Sequence, residues 1–308
     1  MRLAIKTCTL DMPYTEMLDF CLSQDVHAVE IATGNWSAAP HIDLEEVVSS
    51  EIARTKWYDE MRRRDIELCA LNCSGNPLAY EHEMDVTVKT FRLAEQLGIK
   101  KIVMMSGLPA GCKGDKTPTW VTTSWPPETQ DILKYQWEEV AIPEWKKIVH
   151  LAEECGIEQI ALENHAAQLV YNPETLLRLR SEVGPMVGMN LDPSHLFWMG
   201  GDPIEAARVL GEHNALYHIH VKDSRTERRY IGPNGVLDTK PIDAFRHRSW
   251  NFVAVGAGHG TQWWFEFLSA CRMSGYSDVV SLEMEDLTMT MLEGHISSLR
   301  TLKEAMVL

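Results

Sequence analysis

Short apolar runs alternate with longer segments of helical period along the whole chain. This pattern predicts eight strands, each followed by helix-like sequence, at residues 3–6, 28–31, 67–70, 101–104, 159–163, 187–191, 216–220 and 279–282. Several of the intervening segments end in glycine, as at Gly98, Gly156 and Gly275, and glycine is the residue that most often ends a helix. Strands that alternate with helices in this way indicate parallel strands joined by right-handed crossovers.

Two α/β architectures fit this alternation, a closed eight-stranded barrel and an open doubly wound sheet. An open sheet of this kind usually carries a glycine-rich phosphate loop after its first strand. Residues 7–12 instead read Thr-Cys-Thr-Leu-Asp-Met, without a glycine. The sequence therefore predicts a (β/α)8 TIM barrel, with residues 1–308 forming a single domain.

Three of the predicted connections are too long to be simple turns. They are residues 33–50 after the second strand, 106–136 after the fourth and 224–262 after the seventh. All three follow the C-terminal ends of strands, which is the face of a TIM barrel where active sites lie. Because long loops there usually serve as lids or binding surfaces, we expect these three to border the site.

Ionisable side chains interrupt the apolar pattern at the ends of the last four predicted strands. The residues concerned are Glu163, Asp192, His220 and Glu283. The ends of neighbouring strands converge on one side of a barrel mouth, where three carboxylates would repel one another unless a cation lay among them. The sequence therefore predicts one divalent metal ion held by these four residues. An oxygen-rich set with one imidazole favours Mn²⁺, with Mg²⁺, Co²⁺ or Zn²⁺ as alternatives.

Polar residues next to these four are candidates for contacting a substrate. Because side chains alternate along a strand, His165 faces the same way as Glu163, and Lys222 the same way as His220. Lys222 projects furthest toward the mouth, where it could hold a substrate oxygen or pair with Glu285.

Three further residues have polar or aromatic side chains close to the predicted site. His195 lies three residues after Asp192, which would place an imidazole beside the metal ion and within reach of a substrate hydroxyl. His218 is expected lower in the barrel, as a hydrogen-bonded residue of the interior. Trp120 lies in the long connection 106–136, and its ring could stack on a sugar face or an aromatic aglycone or simply pack within the protein.

Charge and composition narrow the range of partners. The chain has 29 Lys+Arg against 44 Asp+Glu, a net charge of −15, which argues against nucleic acid or an anionic membrane surface. No apolar run reaches the roughly 18 residues needed to span a bilayer, and the first residues lack the apolar core of a secretion signal. The seven cysteines are scattered and odd in number, unlike a disulfide framework. We therefore expect a cytoplasmic protein that acts on a small molecule.

The strand-end segments together resemble the xylose-isomerase-like family of TIM-barrel sugar isomerases and epimerases. The resemblance also includes the Asp-x-x-His of Asp192 and His195, the Gly-Asn-Pro of residues 75–77 and the Gly-x-Gly-His of residues 256–259. In that family a Glu, an Asp, a His and a second Glu bind one divalent metal, and the two glutamates transfer the proton. The resemblance thus implies that Glu163 and Glu283 are catalytic and that His195 and Asn76 bind the substrate. From their positions we add His165 as a catalytic candidate, and Lys222 and Trp120 as substrate-binding candidates.

The activity that the resemblance implies is proton abstraction next to the carbonyl of a keto-sugar, through a metal-stabilised enediolate. Two segments at the mouth, residues 79–80 and 164–167, depart from the sequences usual in the closest subgroup. The alternative is a lyase that cleaves 3-oxo-glycosides, as in the larger subunit of bacterial C-glycoside deglycosidases. The implied small-molecule partner is a sugar or glycoside substrate. The implied assembly is a homo-oligomer or, alternatively, a hetero-oligomer with a smaller subunit.

Two other functions occur on barrels of this kind and are disfavoured. Metal-dependent apurinic endonucleases need a basic groove and additional histidines on the second and third strands. The net charge of −15 and the residues Leu71-Asn72-Cys73 after the third strand do not fit that requirement. A sugar sensor without catalysis would be expected to have lost at least one of the four ligands, and all four are present.

Overall fold

The computed structural model describes residues 1–307, and its strands begin and end close to the predicted positions. Eight of them form the barrel: β1 (Arg2–Lys6), β2 (Ala28–Ala32), β3 (Glu67–Asn72), β4 (Lys101–Met104), β5 (Gln159–Glu163), β6 (Val187–Leu191), β7 (Leu216–Val221) and β10 (Val279–Leu282). Two more, β8 (Asp223–Thr226) and β9 (Trp250–Val253), pair with each other as an antiparallel hairpin.

The barrel strands are parallel and close in the order β1-β10-β7-β6-β5-β4-β3-β2. The predicted (β/α)8 barrel is therefore confirmed. Because β5, β6, β7 and β10 are consecutive neighbours around the ring, the residues at their C-terminal ends meet on one side of the mouth.

Helices follow the strands along the chain. They are α1 (Tyr14–Ser23), α2 (Leu44–Ser49), α3 (Glu51–Arg63), α4 (Glu81–Leu97), α5 (Glu128–Lys134), α6 (Ile142–Glu154), α7 (Pro173–Val183), α8 (Pro193–Met199), α9 (Pro203–Glu212), α10 (Arg228–Asn234), α11 (Thr261–Met273) and α12 (Met291–Val307). A π-helical segment, Tyr135–Ala141, joins α5 to α6.

Local sequence signals explain where several helices begin and end. Asn172 caps α7, since its Oδ1 accepts the backbone N–H of Thr175 at 2.9 Å and the Thr175 hydroxyl accepts the N–H of Asn172. Gly98 ends α4 in the left-handed conformation, at φ 71°, which a side chain would disfavour. These ends fix the direction in which the chain enters the next strand.

The hydrophobic core has two parts. Large side chains such as Trp145, Trp264 and Phe267 are fully buried in the layer between strands and helices. A smaller apolar cluster consists mostly of short side chains from the barrel strands, including Ala4, Ala28 and Ala161. Because strand side chains alternate, Lys6, Glu30 and Glu163 lie two residues further along on the same faces as these alanines.

The long predicted connections contain structure of their own. The connection 33–50 holds α2, the connection 106–136 holds α5, and the connection 224–262 holds the β8–β9 hairpin and α10. The strands of that hairpin are four residues long and partly polar, so no clear apolar alternation marked them. In the described residues 1–307, none of the helices is both apolar enough and long enough to cross a bilayer.

Candidate metal centre and active site

The four predicted metal ligands come together at the mouth of the barrel. Each of Glu163, Asp192, His220 and Glu283 offers a ligand atom, and these atoms all lie within 4.8 Å of one another. All four side chains are buried. Neighbouring strands bring them there, since Glu163 ends β5, Asp192 follows β6, His220 lies in β7 and Glu283 follows β10.

Backbone contacts hold two of these ligands in place. Asp192 is the N-cap of α8, and its Oδ1 accepts the backbone N–H of Ser194 at 2.8 Å, which leaves Oδ2 for another partner. The backbone N–H of Glu283 donates to the carbonyl of Val221 at 3.4 Å, which continues the pairing of β10 with β7 to the mouth.

One atom of each ligand is buried without a hydrogen-bond partner: Glu163 Oε2, Asp192 Oδ2, His220 Nδ1 and Glu283 Oε2. Buried polar atoms are rarely left in this state. The Nδ1 of His220 lies 2.9 Å from Glu283 Oε2 and 3.4 Å from Glu163 Oε2. Three carboxylate oxygens and one imidazole nitrogen, all facing one another, fit a divalent cation.

The orientation of His220 is set by Glu30, a residue of β2 that the sequence analysis missed. The Nε2 of His220 lies 3.1 Å from both carboxylate oxygens of Glu30. When Nε2–H donates to Glu30, the lone pair of a neutral His220 is on Nδ1, the atom that faces the other ligands. A carboxylate behind a metal-binding histidine is a common arrangement, because it fixes the ring and raises its basicity.

Glu30 has two further donors in the barrel interior. It accepts hydrogen bonds from Nδ2 of Asn72 at 2.7 Å and from Nε2 of His218 at 2.9 Å, so His218 is the hydrogen-bonded interior residue that the sequence predicts. Burial alone would raise the pKa of Glu30, but His220 and His218 outweigh it and hold that pKa well below its usual range. Burial likewise opposes a charge on His220, yet Glu30 and Glu283 keep its pKa well above the usual value.

Two ammonium groups contact the outer oxygen of Glu283. Nζ of Lys6 donates to Glu283 Oε1 at 2.6 Å, and Nζ of Lys222 lies 3.6 Å from the same atom. Lys222 also pairs with Glu285 at 2.5 Å, one of its two predicted alternatives, and lies 4.2 Å from the ring centroid of Phe252. Burial would raise the pKa of Glu283, but Lys222 and Lys6 outweigh it and keep the carboxyl group ionised.

Two histidines border the ligand set on the side of Glu163. Burial, together with the neighbouring His165, lowers the pKa of His195 to about 3, so this imidazole is neutral. Its Nε2–H donates to Glu163 Oε1 at 3.1 Å, and the same nitrogen lies 3.5 Å from Asp192 Oδ2. Burial raises the pKa of Asp192 to about 7.

His165 lies beside His195, with ring centroids 4.2 Å apart, and is only partly buried. Its Nδ1 lies 2.5 Å from the carbonyl oxygen of Ala166, so the ring proton is on Nδ1 when the residue is neutral. The Nε2 atom of that tautomer carries a lone pair and can accept a proton or a hydroxyl hydrogen bond.

The remaining two predicted site residues lie apart from the ligand set. Both atoms of the Asn76 amide are engaged by Leu108, since Nδ2 donates to its carbonyl at 2.8 Å and Oδ1 accepts its N–H at 2.9 Å. Asn76 thereby ties the loop after β3 to the loop after β4. Trp120 packs edge-on against Tyr171 at 5.7 Å.

An aromatic cluster of Trp198, Trp250 and Phe252 lies above the ligand set, and Trp120 packs against it. The rings of Trp198 and Trp250 stack at 4.6 Å, and Phe252 meets the ring of His195 edge-on at 5.6 Å. Two members of this cluster belong to β9, so the hairpin of the long connection 224–262 supplies part of the wall of the mouth.

The Gly-x-Gly-His sequence is held to the end of β7 by Asp223. Its carboxylate accepts the backbone N–H groups of Gly256, Gly258 and His259 at 2.9–3.1 Å, and His259 Nδ1 lies 2.8 Å from it. A Cβ at Gly258 would lie 2.5 Å from the carbonyl oxygen of Ser224, so this position requires glycine. The motif therefore has a structural reason, the closure of this loop on the hairpin.

Comparisons with solved structures agree with the observed fold. The IOLI protein with a bound zinc atom matches over 100% of this chain and 97% of its own, with 20% identity and a TM-score of 0.65. A D-tagatose 3-epimerase-like protein gives the same coverage, identity and TM-score. The probable 3-DHS dehydratase AsbF of Bacillus anthracis matches over 98% of this chain and 99% of its own, at 16% identity and a TM-score of 0.66. At these identities the likeness establishes the fold alone.

Comparison of sequences establishes the family as well as the fold. YfiH, an uncharacterized protein of Bacillus subtilis (strain 168), is 52% identical over 311 residues, which cover 99% of each chain. The family model described as xylose isomerase-like TIM barrel matches residues 18–305. The resemblance found in the strand-end segments is thus confirmed, and the chain belongs to the xylose isomerase-like TIM barrel family.

Proposed function

We propose that the chain is a divalent-metal-dependent sugar isomerase or epimerase that removes a proton from the carbon next to the carbonyl of a keto-sugar. One observation carries the proposal: each of Glu163, Asp192, His220 and Glu283 has a buried atom without a partner, and their ligand atoms lie within 4.8 Å of one another. We propose Mn²⁺ as the resident ion, with Mg²⁺, Co²⁺ or Zn²⁺ as alternatives. The zinc atom of the IOLI structure and the epimerase-like neighbour support this assignment.

The chain's own residues supply the proton transfer. A divalent ion bound here would polarise the carbonyl and the adjacent hydroxyl of the substrate and so acidify the C–H bond. Glu163 and Glu283 approach from β5 and β10, and the pKa of each is held below its usual range despite burial. One carboxylate takes the proton and the other returns it. Return to the same carbon from the opposite face gives an epimer, and return to the neighbouring carbon gives an isomer.

Two side chains are proposed to hold substrate oxygens. Neutral His195 uses Nε2–H on Glu163, which leaves a lone pair on Nδ1 for a substrate hydroxyl. The ammonium of Lys222 lies between Glu283 and Glu285, where it can donate to an oxygen that becomes negative as the proton leaves. Trp120 stays a prediction as a stacking surface.

Hydrogen exchange tests the proposal directly. The Mn²⁺-loaded protein is incubated in D₂O with a panel of ketohexoses and followed by NMR. We expect deuterium at the carbon next to the carbonyl together with an isomer or epimer, no reaction after EDTA treatment, and recovery with Mn²⁺ or Co²⁺. Active protein that contains no divalent metal, or metal-loaded protein that exchanges no substrate proton, would contradict the assignment.

A lyase acting on 3-oxo-glycosides is the second candidate, and the contacts of Glu283 favour it. Lys6 holds the Oε1 atom of Glu283, which leaves this carboxylate less free to act as one of two bases. The Nε2 atom of His165 is free to act as the single base that an elimination needs. In an elimination, a base removes the proton next to the carbonyl, and the electron pair of that bond expels the leaving group from the following carbon. The dehydratase description of AsbF, a protein of the same fold, is compatible with this chemistry.

The two candidates are separated by their products. Ketohexoses and 3-oxo-glycosides are offered to the same Mn²⁺-loaded protein, and free aglycone is measured by chromatography. Release of aglycone without isomerisation of any ketose selects the lyase. If the chain alone is inert and a smaller subunit that copurifies with it restores cleavage, the chain acts in a hetero-oligomer; otherwise we expect a homo-oligomer, which sedimentation would measure.

A further inference from the structure

A cavity lies where the loops that follow β4 and β5 meet α5, the π-helical segment and α7, and Trp120 forms one of its walls. It has a volume of about 260 Å³, and none of the four ligand residues lines it. Among the residues that line it are Trp120, Gln136, Trp137, Gln168, Tyr171 and Arg178. We call it the Gln168 cavity.

Gln168 is fully buried, and neither its Oε1 nor its Nε2 has a hydrogen-bond partner. The Oε1 of Gln136 and the Nε1 of Trp120 are also buried and unpartnered. Gln136 cannot be rotated to satisfy its oxygen, because its Nε2 already donates to Pro109 and Thr119 at 2.8 and 2.7 Å. The residues that line the cavity therefore carry two unpartnered donors, Gln168 Nε2 and Trp120 Nε1, and two unpartnered acceptors, Gln168 Oε1 and Gln136 Oε1.

The apolar walls of the cavity are partly aromatic and partly aliphatic, the latter including Leu133 and Leu169. Trp120 and Tyr171 meet edge-on at 5.7 Å, and the ring of Trp137 is covered by the Arg178 guanidinium at 4.4 Å from its centroid. Gln136 and Trp137 belong to the π-helical segment, a distortion that occurs frequently at functional sites. The volume is several times the roughly 30 Å³ that one water molecule occupies, so the cavity is larger than a structural water site.

Flat apolar walls combined with neutral donors and acceptors match one kind of ligand. A ring with hydroxyl groups at its edge presents an apolar face to tryptophan and both donates and accepts through its hydroxyls. A charged group would find no counter-ion among the buried residues, because the charged side chains, Arg178 and Glu174, are exposed at the rim.

We propose that the Gln168 cavity binds a neutral six-membered ring that carries hydroxyl groups. The ring hydroxyls exchange hydrogen bonds with the Gln168 amide, donate to Gln136 Oε1 and accept from Trp120 Nε1. A sugar ring and a hydroxylated aromatic ring share this chemistry. The proposal does not rest on the reaction at the metal centre, since none of the four ligand residues lines the cavity. Trp120 is the one lining residue that is also a predicted stacking surface for the substrate of that centre.

Binding to EDTA-treated protein tests the proposal without any turnover. The probes are methyl β-D-glucopyranoside and resorcinol, titrated separately with ligand-observed NMR and soaked into crystals. We expect one of them to bind with its ring against Trp120 and a hydroxyl on Gln168, and the probe that binds identifies the source of the ring. If neither probe binds, or if soaked crystals show only water bridging these polar atoms, the proposal is overturned.

The variant Gln168→Leu removes both polar atoms at similar volume. We expect it to weaken probe binding about tenfold or more, because the hydroxyl groups that contact the Gln168 amide lose their partner. We also expect it to raise the melting temperature, because an unpaired buried amide is destabilising. Gln168→Met serves the same purpose if the leucine variant fails to fold. Gln130→Leu, on the exposed surface of α5, is the control and should bind like the unaltered protein. Equal binding by the Gln168 and Gln130 variants would overturn the proposal.

Discussion

At the N-terminal end of the barrel, the ammonium of Lys101 contacts Asp278, and the guanidinium of Arg2 contacts Glu67 and Asp278. Two cations there meet two anions. At the C-terminal end, five acids face three cations. The acids are Glu30, Glu163, Asp192, Glu283 and Glu285, and the cations are Lys6, Lys222 and His220, whose pKa is well above its usual value. Charge is balanced at the first end and in excess at the second.

This difference in charge balance indicates a structural role for the charged residues at the N-terminal end and a binding role for those at the C-terminal end. Opposite charges in contact satisfy each other, so the N-terminal pairs need no further partner. Four of the five acids at the C-terminal end, all but Glu285, are buried, where repulsion between carboxylates is strong and only weakly screened. A divalent cation bound among the ligand atoms would offset most of that surplus of negative charge.

The largest effect is expected from Lys6→Met. The ammonium of Lys6 contacts Glu283 at 2.6 Å, and both side chains are almost fully buried. Removing one partner of a buried pair typically costs about 3–5 kcal/mol, because the other charge stays buried. We expect urea unfolding of the metal-free variant to show a loss of that order, and a smaller loss with Mn²⁺ bound. The control is Lys101→Met, whose partner Asp278 remains 44% exposed and solvated. Equal losses in the two variants would remove the distinction between the two ends.

Asp192→Asn tests the surplus charge itself. Asparagine keeps the cap of α8, since its Oδ1 can still accept the N–H of Ser194, but it removes one negative charge from the ligand set. We expect the dissociation constant for Mn²⁺ to rise more than about 100-fold, beyond what the loss of a residue behind a ligand usually causes. Calorimetric titration measures this, and Asp278→Asn at the opposite end should bind Mn²⁺ unchanged. Unaltered affinity in Asp192→Asn would place the ion elsewhere.

Glu30→Gln should weaken metal binding less, because Glu30 acts through His220. In the unaltered protein, the two Glu30 oxygens accept hydrogen bonds from Nε2–H of both His218 and His220. A glutamine has one oxygen, which can accept from one of these rings, and its NH₂ group would face the N–H of the other ring without a bond. We expect Mn²⁺ affinity to fall about 10- to 100-fold. The absorption spectrum of the Co²⁺-loaded variant should show a shifted band of the same type, because the four ligands of the metal are unchanged. Glu67→Gln, the same change at the N-terminal end, should leave affinity and spectrum alone; a matching loss there would point to general destabilisation.

The barrel and the four ligands can be predicted from the sequence because each of these predictions depends on local sequence patterns. Alternating apolar and helical segments mark the strands, and a charge at the end of an apolar run marks the mouth. Glu163, Asp192, His220 and Glu283 all carry that signal. The closed strand order then makes them neighbours without any further information.

Other parts of the site depend on contacts between distant segments. Lys6 meets a carboxylate 277 residues away, and that contact exists only because β1 pairs with β10 when the barrel closes. Glu30 lies in the middle of the buried strand β2, and a charged residue at such a position is the one sign of its role in the sequence. The sequence does not show that its partners, His218 and His220, lie on β7. The β8–β9 hairpin and the Gln168 cavity are likewise products of how long connections pack, which strand periodicity does not encode.

The smallest effect is expected from Asp278→Asn at the N-terminal end, and it should depend on pH. Burial alone would raise the pKa of Asp278, but Lys101 outweighs it and holds the pKa below its usual range. A lowered carboxyl pKa stabilises the fold above the unfolded value of about 3.9, and this contribution disappears as pH falls through the folded pKa. Because the carboxylate is 44% exposed, the gap from the unaltered protein at pH 7 should stay below about 1 kcal/mol.

Urea unfolding at a series of pH values from about 7 down to about 2.5 measures that gap, which should close at the acid end. Asp243→Asn, an exposed position, is the control and should show no gap at any pH. A gap for Asp278→Asn that persists or widens in acid would mean that the Lys101–Asp278 pair does not stabilise the fold through its charge. The N-terminal end would then not be the balanced counterpart of the metal centre, and the contrast between the two ends would fail.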